Sequence, residues 1–323
     1  MKYKFIILIC FCSYVHSNYL DRDEVHEFID FMSKEHDFDK TYLVEVFSKA
    51  VKQQNIIDSM NKPAEKVVTW DQYKNRVSFF RIQSGKVFLN TYERWFDKAE
   101  KDFGVPREVI AAIIGLETNY GGYKGKIRVI DALSTAAFDY PRRRSFFKKQ
   151  LEEFFLLSRE ENFDITGVRG SYAGAMGFAQ FMPDNYRRLA LDFDEDGKRD
   201  IMNNAADAIG SVANFLSSDL GNKRGWDRNG FIALPAQAKR KNKSIKSSFK
   251  LVPYKELDIV YEKDNLDFSK KYIQISLFPK NEERDEFWIG DKNLYAITRY
   301  NPSSKYAMSV FLLSEELKIT SDL

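Results

Sequence analysis

The sequence predicts a mainly helical α+β protein with a small β-rich insertion. Through most of the chain up to about residue 220, apolar residues recur at the spacing of amphipathic and buried helices. After Trp226 the pattern changes, and residues 271–277 alternate with the period of two that is typical of a strand with one exposed face. We therefore expect a helical body that the insertion interrupts once.

These changes in pattern divide the 323 residues into five predicted parts. In chain order they are an export signal at 1–17, a helical N-terminal region at 18–85, a helical core with an acidic loop at 86–231, the β-rich insertion at 232–290, and a return to the core at 291–323.

The first residues have the layout of a secretory signal. Lys2 and Lys4 precede an apolar run, and small residues follow with a predicted cleavage after Ser17. The apolar run is too short to span a bilayer, and no later run approaches that length. We expect an exported, periplasmic protein without a transmembrane span.

A lipoprotein signal is the competing interpretation of this segment. Cys10 or Cys12 would then carry the lipid and anchor the protein to the outer membrane. Ile9 and Phe11, directly before the two cysteines, are bulky where such signals favour small residues. The sequence therefore favours the soluble form.

Histidine and cysteine are almost absent from the chain. Its 3 His and 2 Cys all precede residue 37. Serine and cysteine nucleophiles rely on imidazole, and zinc, haem and iron–sulfur sites rely on His or Cys ligands. We therefore expect carboxylates to perform any acid–base chemistry, with no catalytic cofactor.

The net charge of the chain is only +3. Proteins that bind nucleic acid through its phosphates carry a large excess of positive charge, and the sequence shows no such excess.

Two apolar patterns predict helices in the first hundred residues. Each follows the i, i+3, i+4, i+7 spacing of one helix face. The first consists of Val25, Phe28, Ile29 and Met32, and the second of Phe88, Tyr92, Trp95, Phe96 and Ala99.

A third predicted helix carries an acidic residue, Glu117, near its C-terminal end. It begins after Pro106, is apolar nearly all round, and stops at the paired glycines 121–122. Glu117 lies near its C-terminal end, where desolvation by Ile113 and Ile114 and the negative end of the helix dipole favour the neutral acid. A neutral carboxyl can act as a general acid. A Glu that is capped by local hydroxyls or paired with a distant Arg fits the residues equally well.

Small, hydroxyl-bearing and aromatic residues mix at 170–183. Ser171 and Gln180 offer neutral hydrogen-bonding groups, and Tyr172, Phe178 and Phe181 offer flat apolar faces. This mixture suits sugar rings. By itself it is also typical of tightly packed helices.

The segment 192–203 follows the spacing of an EF-hand loop. Positions 1, 3, 5, 6, 7 and 9 are Asp192, Asp194, Asp196, Gly197, Lys198 with its backbone carbonyl, and Asp200. Position 12 is Asn203 where the motif has Glu. Because acids this close repel one another without a cation, we expect a structural Ca²⁺ here. A hydrated acidic turn is the alternative.

Five ordered motifs carry a resemblance to a known family. They are ETNYG at Glu117, ALSTAAFDYPRRRSFF from Ala132, GSYAGAMGFAQFMP from Gly170, DAIGSVANF from Asp207, and ITRYNPSSKYAM from Ile297. Their order and sequence resemble the lytic murein transglycosylase B family of cell-wall enzymes, over a stretch from about Trp70 to Leu313.

The resemblance implies a lysozyme-like core in which Glu117 is the single catalytic acid and base. The implied reaction breaks the β-1,4 bond between N-acetylmuramic acid and N-acetylglucosamine in peptidoglycan and leaves a 1,6-anhydro end. An ordinary glycosidase needs a second positioned carboxylate, and no motif supplies one here.

The resemblance also assigns site residues by position. The implied substrate-binding residues are Ser171, Gln180, Tyr300, Asn301, Tyr306, Arg142, Arg143, Tyr73 and Phe181. Ser171 and Asn301 would contact the acetamido group of the reacting sugar. Arg142 and Arg143 would face lactyl or peptide carboxylates, unless they form surface ion pairs. The resemblance adds Asp207 to the ion loop, where it would complete the ligand sphere.

Two other functions fit the same residues. One is a non-catalytic protein that binds peptidoglycan, and the other is a muramidase that adds water to the same bond. For all three we expect glycan strands as the partner, with other cell-wall enzymes as further partners.

Overall fold

The computed structural model describes residues 19–62, 68–218, 225–239, 245–262, 266–278 and 285–318. The predicted signal, with Cys10, Cys12 and the cleavage point at Ser17, lies outside the described residues.

Thirteen α-helices occur in the described parts of the chain. In order they are α1 (Asp23–His36), α2 (Lys40–Lys49), α3 (Gln54–Asn61), α4 (Trp70–Lys74), α5 (Phe79–Thr91), α6 (Glu93–Phe103), α7 (Arg107–Thr118), α8 (Val129–Asp139), α9 (Arg144–Glu160), α10 (Pro183–Leu189), α11 (Ala205–Ser217), α12 (Lys292–Tyr300) and α13 (Ser304–Lys318).

The strands form two antiparallel sheets. They are β1 (Ile127–Arg128), β2 (Arg169–Gly170), β3 (Ala233–Ala238), β4 (Ser248–Pro253), β5 (Ile259–Val260), β6 (Lys271–Leu277) and β7 (Glu286–Gly290). β1 pairs with β2, with Ile127 opposite Gly170. The other five strands form one sheet in the order β4-β6-β7-β3-β5, which lies within the range of the predicted insertion.

The predicted mainly helical α+β class is confirmed, although one helix pattern spans two helices. In α1 the buried residues are those that the spacing predicted. The second pattern is broken at Tyr92, where the backbone leaves the helical region between α5 and α6. Both helices still bury the predicted face, because Phe88 contacts Phe96 across the break with ring centroids 5.8 Å apart.

One hydrophobic core joins the N-terminal helices to the rest of the helical body. Phe28 and Phe47 contact Phe138 of α8 and Phe155 of α9, with ring centroids 5.7–6.2 Å apart. The boundary predicted at residue 85 falls inside α5. The N-terminal region therefore packs as part of the helical body.

β6 has the predicted bounds but lacks the predicted exposed face. Every residue after Lys271 is buried. Ile273 packs into the main core, and Tyr272 packs into a small second core of the insertion. Gln274 is covered as well, since its amide bonds the backbone of Lys246 and Asp258. The alternating pattern therefore predicted the bounds of the strand correctly. The predicted exposed face was wrong, because both faces of the strand are packed.

Within the described residues, no helix is long and apolar enough to cross a membrane.

Candidate active site

Glu117 lies one residue before the end of α7, a helix in which nine of the twelve residues are buried. The helix stops because Asn119 and Tyr120 adopt left-handed backbone conformations, with φ of 50° and 59°. The Thr118 hydroxyl accepts a hydrogen bond from Gly121 N, and its proton is within donating distance of the Ile114 carbonyl at 3.1 Å and of the Phe178 carbonyl at 3.2 Å. This turn fixes the end of α7 against the segment 170–183 and leaves the Glu117 side chain partly exposed.

Glu117 lines a pocket of about 300 Å³. The pocket is formed by residues that are distant in sequence: Ser59, Glu117, Tyr123, Gly125, Lys126, Ile127, Gly170, Ser171, Tyr172 and Gln180. Among these lining residues Glu117 is the only carboxylate. Any proton transfer by a pocket carboxyl therefore falls to Glu117.

The backbone on one side of the pocket is closely packed. Gly125 has a φ of 97°, and a Cβ there would lie 2.0 Å from the Gly170 carbonyl oxygen. Only glycine tolerates both conditions. The close approach brings the start of β1 and the end of β2 together beside Ser171, so the wall consists partly of main chain.

Ser171 and Gln180, both predicted from the sequence, line this pocket with Glu117. The Ser171 Oγ accepts from Ala175 N at 3.0 Å, which leaves its hydroxyl proton for another acceptor. Gln180 has a φ of 47°, and its amide nitrogen donates to the carbonyls of Gly177 and Lys124. Both side chains are thus fixed by the loop that presents them.

Two predicted tyrosines interact with Glu117 from the C-terminal helices. Burial raises the pKa of Tyr300 and of Tyr306 well above the usual value, and the Glu117 carboxylate raises both further. Hydrogen bonding between the Tyr306 side chain and Glu117 contributes to that shift. The two rings stack with centroids 6.4 Å apart and planes 7° apart. Both phenols therefore stay protonated beside the acid.

Phe181 lies beneath this pair. It is 1% exposed, and its ring contacts Tyr300 and Phe215 at 5.9 and 5.8 Å between centroids. The Tyr300 hydroxyl donates to the Ala179 carbonyl. Phe181 therefore supports the tyrosine from the core, and the structure does not place it at the surface of the pocket.

Tyr73 and Asn301 border the same tyrosines. Tyr73 is buried, and its proximity contributes to the raised pKa of Tyr306. Arg76 stacks over the Tyr73 ring at 4.2 Å and donates to its hydroxyl. Asn301 is partly buried at the C-terminal end of α12, directly after Tyr300.

Arg142 and Arg143 are exposed in the turn before α9 and are not among the residues that line the Glu117 pocket. The Arg143 guanidinium stacks over the Phe146 ring at 4.0 Å. The structure does not bring the two arginines to the acid, and their contact with a longer substrate stays a prediction.

Sequence reasoning missed the lining residues Ser59, Tyr123, Gly125, Lys126 and Ile127, and it named Tyr172 only as one of the aromatic residues of 170–183 without assigning it to the site. Tyr123 and Tyr172 are 58% and 37% exposed, so they offer aromatic faces to a ligand. The sequence did indicate a role for Tyr172, since it belongs to the segment 170–183, whose mixture of residues suits sugar rings. Ser59 had none, because α3 reaches the pocket only through packing against α8.

The acidic loop gathers three carboxylates at a second location. Oxygens of Asp192, Asp194 and Asp196 lie within 4.8 Å of one another, so they could hold a metal ion. Asp192 also accepts from the N–H groups of Asp196 and Gly197 at 3.0 and 2.9 Å. These bonds close the loop around the three acids.

Asp200 and Asp207, predicted as further ligands, lie outside this group of three. Asp200 accepts from the backbone of Met202 and Asn203, which shapes the turn after the loop. Asp207 is fully buried and accepts from Phe193 N and Asp200 N, both at 2.7 Å. Burial raises the pKa of Asp207 to about 6. Asp207 thus ties together the two ends of the loop.

One atom of the loop fits a bound cation in particular. The Asp194 Oδ1 is buried without a hydrogen-bond partner among the described residues, whereas its Oδ2 accepts from Asn204 at 2.8 Å. An unpaired buried carboxylate oxygen is costly. Three converging carboxylates and oxygen ligands are what Ca²⁺ prefers, and the Lys198 carbonyl belongs to the same loop.

Comparison with known proteins gives a family for this architecture. The family model described as the transglycosylase SLT domain matches residues 21–315. Membrane-bound lytic murein transglycosylase B of Escherichia coli K12 is 33% identical over 315 residues, which cover 94% of this chain and 84% of that protein.

Solved structures agree with the sequence match. The E. coli lytic transglycosylase Slt35 in complex with bulgecin A has a TM-score of 0.81 at 34% identity, over 91% of this chain and 92% of that one. Slt35 has also been solved in complex with calcium, with a TM-score of 0.80 at 34% identity over the same shares of the two chains. SltB1 of Pseudomonas aeruginosa has a TM-score of 0.81 at 36% identity, over 92% and 97%. The predicted lysozyme-like core and family are confirmed, and the chain belongs to the transglycosylase SLT domain family of lytic murein transglycosylases.

Proposed function

We propose that this protein is a peptidoglycan lytic transglycosylase. It cleaves the β-1,4 bond between N-acetylmuramic acid and N-acetylglucosamine, and the new end is a 1,6-anhydromuramic acid. One observation carries the proposal: a single carboxyl, Glu117, lines a pocket whose other groups are hydroxyls, an amide, aromatic rings and a lysine. Family membership agrees with this chemistry.

In the first step Glu117 acts as a general acid. It gives its proton to the glycosidic oxygen while the bond from that oxygen to the anomeric carbon breaks. The N-acetylglucosamine side leaves with a new hydroxyl. Positive charge develops at the anomeric carbon, and the acetamido group of the same sugar can stabilise it.

In the second step the Glu117 carboxylate acts as a base. It removes the proton from the 6-hydroxyl of the muramic acid, and that oxygen bonds to the anomeric carbon. Glu117 ends protonated, ready for another cycle. No water is consumed, so one carboxyl suffices for both transfers.

The neutral groups around Glu117 support both protonation states. Tyr306 donates toward the carboxylate and stabilises it, and Tyr300 holds Tyr306 in place by stacking. Ser171 and Asn301 are proposed to bind the acetamido group, and Tyr123 and Tyr172 to stack on sugar faces. The raised pKa values of the two phenols keep them as donors near neutral pH.

The alternative functions fit these groups less well. A muramidase of the usual kind needs a second carboxylate to act as a nucleophile or to activate water, and the lining residues of the pocket include none besides Glu117. A binding protein needs no acid beside two buried phenols.

We also propose a structural Ca²⁺ at Asp192, Asp194 and Asp196, with the Lys198 carbonyl as a further ligand. The unpaired Asp194 Oδ1 supports it. The ion would fix the loop beside α6, since Phe193 of the loop packs against Trp95 and Phe103 of that helix.

For location we propose the periplasm, reached through the N-terminal signal. The similar E. coli protein is described as membrane-bound, which keeps a lipid anchor on Cys10 or Cys12 as the alternative to a soluble form. N-terminal analysis of the mature protein separates the two, because the soluble form has a free amine after Ser17 and the anchored form has a lipidated cysteine.

Mass analysis of the products released from purified sacculi tests the proposed activity. We expect 1,6-anhydromuramic acid ends from the wild type and a loss of about 10³-fold or more with Glu117→Gln, with an unchanged melting temperature. Reducing ends would instead identify a muramidase, and an absence of products a binding protein.

A further inference from the structure

The segment 123–127 forms one wall of the Glu117 pocket. Four of its five residues line that pocket, namely Tyr123, Gly125, Lys126 and Ile127. Lys124 is the exception, since it lines a neighbouring cavity of about 450 Å³ together with Gly177 and Met202. Any role of Lys124 in the reaction must therefore pass through other residues.

The Lys124 side chain ties this wall to two other parts of the chain. Its Nζ donates to the Met202 carbonyl at 2.6 Å and lies 4.7 Å from the centroid of the Phe178 ring. Both contacts depend on the positive charge of the ammonium, which strengthens the hydrogen bond and attracts the ring. The wall is therefore held from the side that faces away from the pocket.

The two groups that anchor Lys124 are themselves fixed. Asp200 accepts a hydrogen bond from Met202 N at 3.0 Å. Phe178 N donates to the Ile201 carbonyl at 3.0 Å, which joins the segment 170–183 to the same turn. Because both anchors are bonded in this way, they can hold the main chain of Lys124 in one place.

The main chain of Lys124 in turn holds a residue that lines the Glu117 pocket. The Gln180 amide nitrogen donates to the Lys124 carbonyl at 3.3 Å and to the Gly177 carbonyl at 2.9 Å. Carbonyl oxygens only accept, so the amide must direct its nitrogen toward them, and both of its hydrogens are used. The amide oxygen, Oε1, is then the part of Gln180 that can accept a hydrogen bond from a ligand in the pocket.

The hydrogen bond between Gln180 and Lys124 is sensitive to small movements. Its length of 3.3 Å exceeds the usual upper limit of about 3.2 Å for N–H···O bonds. A small shift of the Lys124 carbonyl would break it. The terminal torsion of a Gln side chain has broad minima, so the released amide could rotate and offer N–H groups where the oxygen had been.

We propose that Lys124 is a positioning residue for the transglycosylase reaction. Its ammonium anchors the pocket wall, so that its carbonyl holds the Gln180 amide with the oxygen available to the substrate. That oxygen accepts a hydrogen bond from a hydroxyl or an acetamido N–H of the sugar. The inference rests on the proposed function and adds to it a residue that acts on the substrate only through Gln180.

The test is a double-mutant cycle on kcat/KM for the formation of anhydro ends. Lys124→Met keeps an apolar stem over Phe178 but removes the charge and the donor. Gln180→Asn shortens the amide so that it no longer reaches the Lys124 carbonyl, and Asn tolerates the φ of 47° at this position.

We expect Lys124→Met to lower kcat/KM about tenfold in the wild type, the loss of roughly one hydrogen bond to the substrate. In the Gln180→Asn background we expect the same substitution to lower it by less than about twofold, because residues that act through one another are not additive. Equal losses in the two backgrounds would overturn the inference, since Lys124 would then act by another route.

Lys239→Met is the matched control. The Lys239 Nζ donates to the Leu257 carbonyl at 2.7 Å and lies 5.5 Å from the Tyr254 ring centroid, so the variant removes the same two kinds of contact in the β-rich insertion. We expect it to leave kcat/KM unchanged. Lys124→Arg keeps the cation and a donor, and we expect it to retain activity within about twofold. A loss as large as that of Lys124→Met would show that the charge is not what acts.

A binding measurement separates this inference from the proposed function. A β-1,4-linked tetramer of N-acetylglucosamine is titrated into Glu117→Gln and into the same protein with Lys124→Met. We expect about tenfold weaker binding to the second protein. If the wild type formed no anhydro ends while this difference appeared, the proposed function would fail and the role of Lys124 would stand. Equal affinity of the two proteins would refute that role even where anhydro ends form.

Discussion

The Glu117 pocket and the acidic loop use the same chemical group in opposite ways. In the pocket one carboxyl is surrounded by phenols, hydroxyls and main chain. In the loop three carboxylates converge within 4.8 Å. An isolated carboxyl among neutral donors can take and release a proton, whereas clustered carboxylates need a cation to offset their repulsion. The number of acids and the character of their neighbours distinguish the two sites.

The comparison predicts that activity depends on the exact position of the Glu117 carboxyl in the pocket and not only on its charge. Glu117→Asp keeps the acid but withdraws it from the pocket by one methylene. Since a displacement of about 1 Å can cost about 10²-fold in rate, we expect kcat/KM for anhydro product to fall by about 10²-fold or more, with little change in melting temperature.

Glu108→Asp is its control, because it makes the same change in the first turn of the same helix. We expect that variant to retain activity. Full activity in Glu117→Asp would mean that another group transfers the proton.

Binding of an ion to the acidic loop should raise the free energy of unfolding of the protein. At calcium concentrations a hundredfold above Kd, a site that only the folded state offers adds about 2.7 kcal/mol to the free energy of unfolding. Asp194→Asn removes the charge of the carboxylate whose Oδ1 is buried and unpaired. We expect calcium to raise the melting temperature of the wild type over a chelated sample, and this rise to be lost in Asp194→Asn.

Glu195→Gln removes the same charge from the adjacent residue, which is exposed and outside the cluster of three. It should keep the rise with calcium. If the melting temperature of the wild type is the same with calcium and with chelator, the proposed Ca²⁺ site is wrong.

A third buried carboxyl, Asp291, sharpens the comparison because it belongs to neither site. It is 4% exposed and caps α12 by accepting from Asn293 N at 2.7 Å. Burial raises its pKa to about 7, and the nearby Asp227 adds to this while Lys270 opposes it. The folded state therefore binds this proton more tightly than the unfolded chain does, so the contribution of Asp291 to stability is fully present below the ordinary carboxyl pKa and is lost as pH rises through about 7.

Asp291→Asn keeps the capping oxygen and removes the charge. We expect the free energy of unfolding to lose less between pH 5 and pH 8 in the variant than in the wild type, with a gain at pH 8 on the order of 1 kcal/mol. Denaturant titrations across that range measure it. Parallel pH profiles for the two proteins would contradict the assigned pKa.

The local elements could be predicted because each leaves a short-range pattern. The spacing of Val25, Phe28, Ile29 and Met32 predicted α1 and its buried face. Proline and glycine bounded α7 and placed Glu117 near its end, and acids at alternate positions marked the acidic loop in which three carboxylates converge. Such patterns depend on neighbours within a few residues, which the sequence states directly.

Other features depend on which elements pack together. The alternation of β6 suggested an exposed face, but loops and a second core cover it. Phe181 has the character of a cleft aromatic, yet it packs beneath Tyr300. Asp207, expected as a ligand, instead bonds the backbone at both ends of the loop. In each case contacts with distant segments decide the outcome.

The sequence by itself determined the helical class, the family and the single acid, because these follow from periodicity, from ordered motifs and from the scarcity of histidine and cysteine. Only the tertiary structure decided which groups surround that acid. Ser59 and Tyr123, which the sequence analysis did not assign to the site, meet Ser171 and Tyr172 in the Glu117 pocket, and this meeting results from the burial of a shared core, which no local pattern encodes.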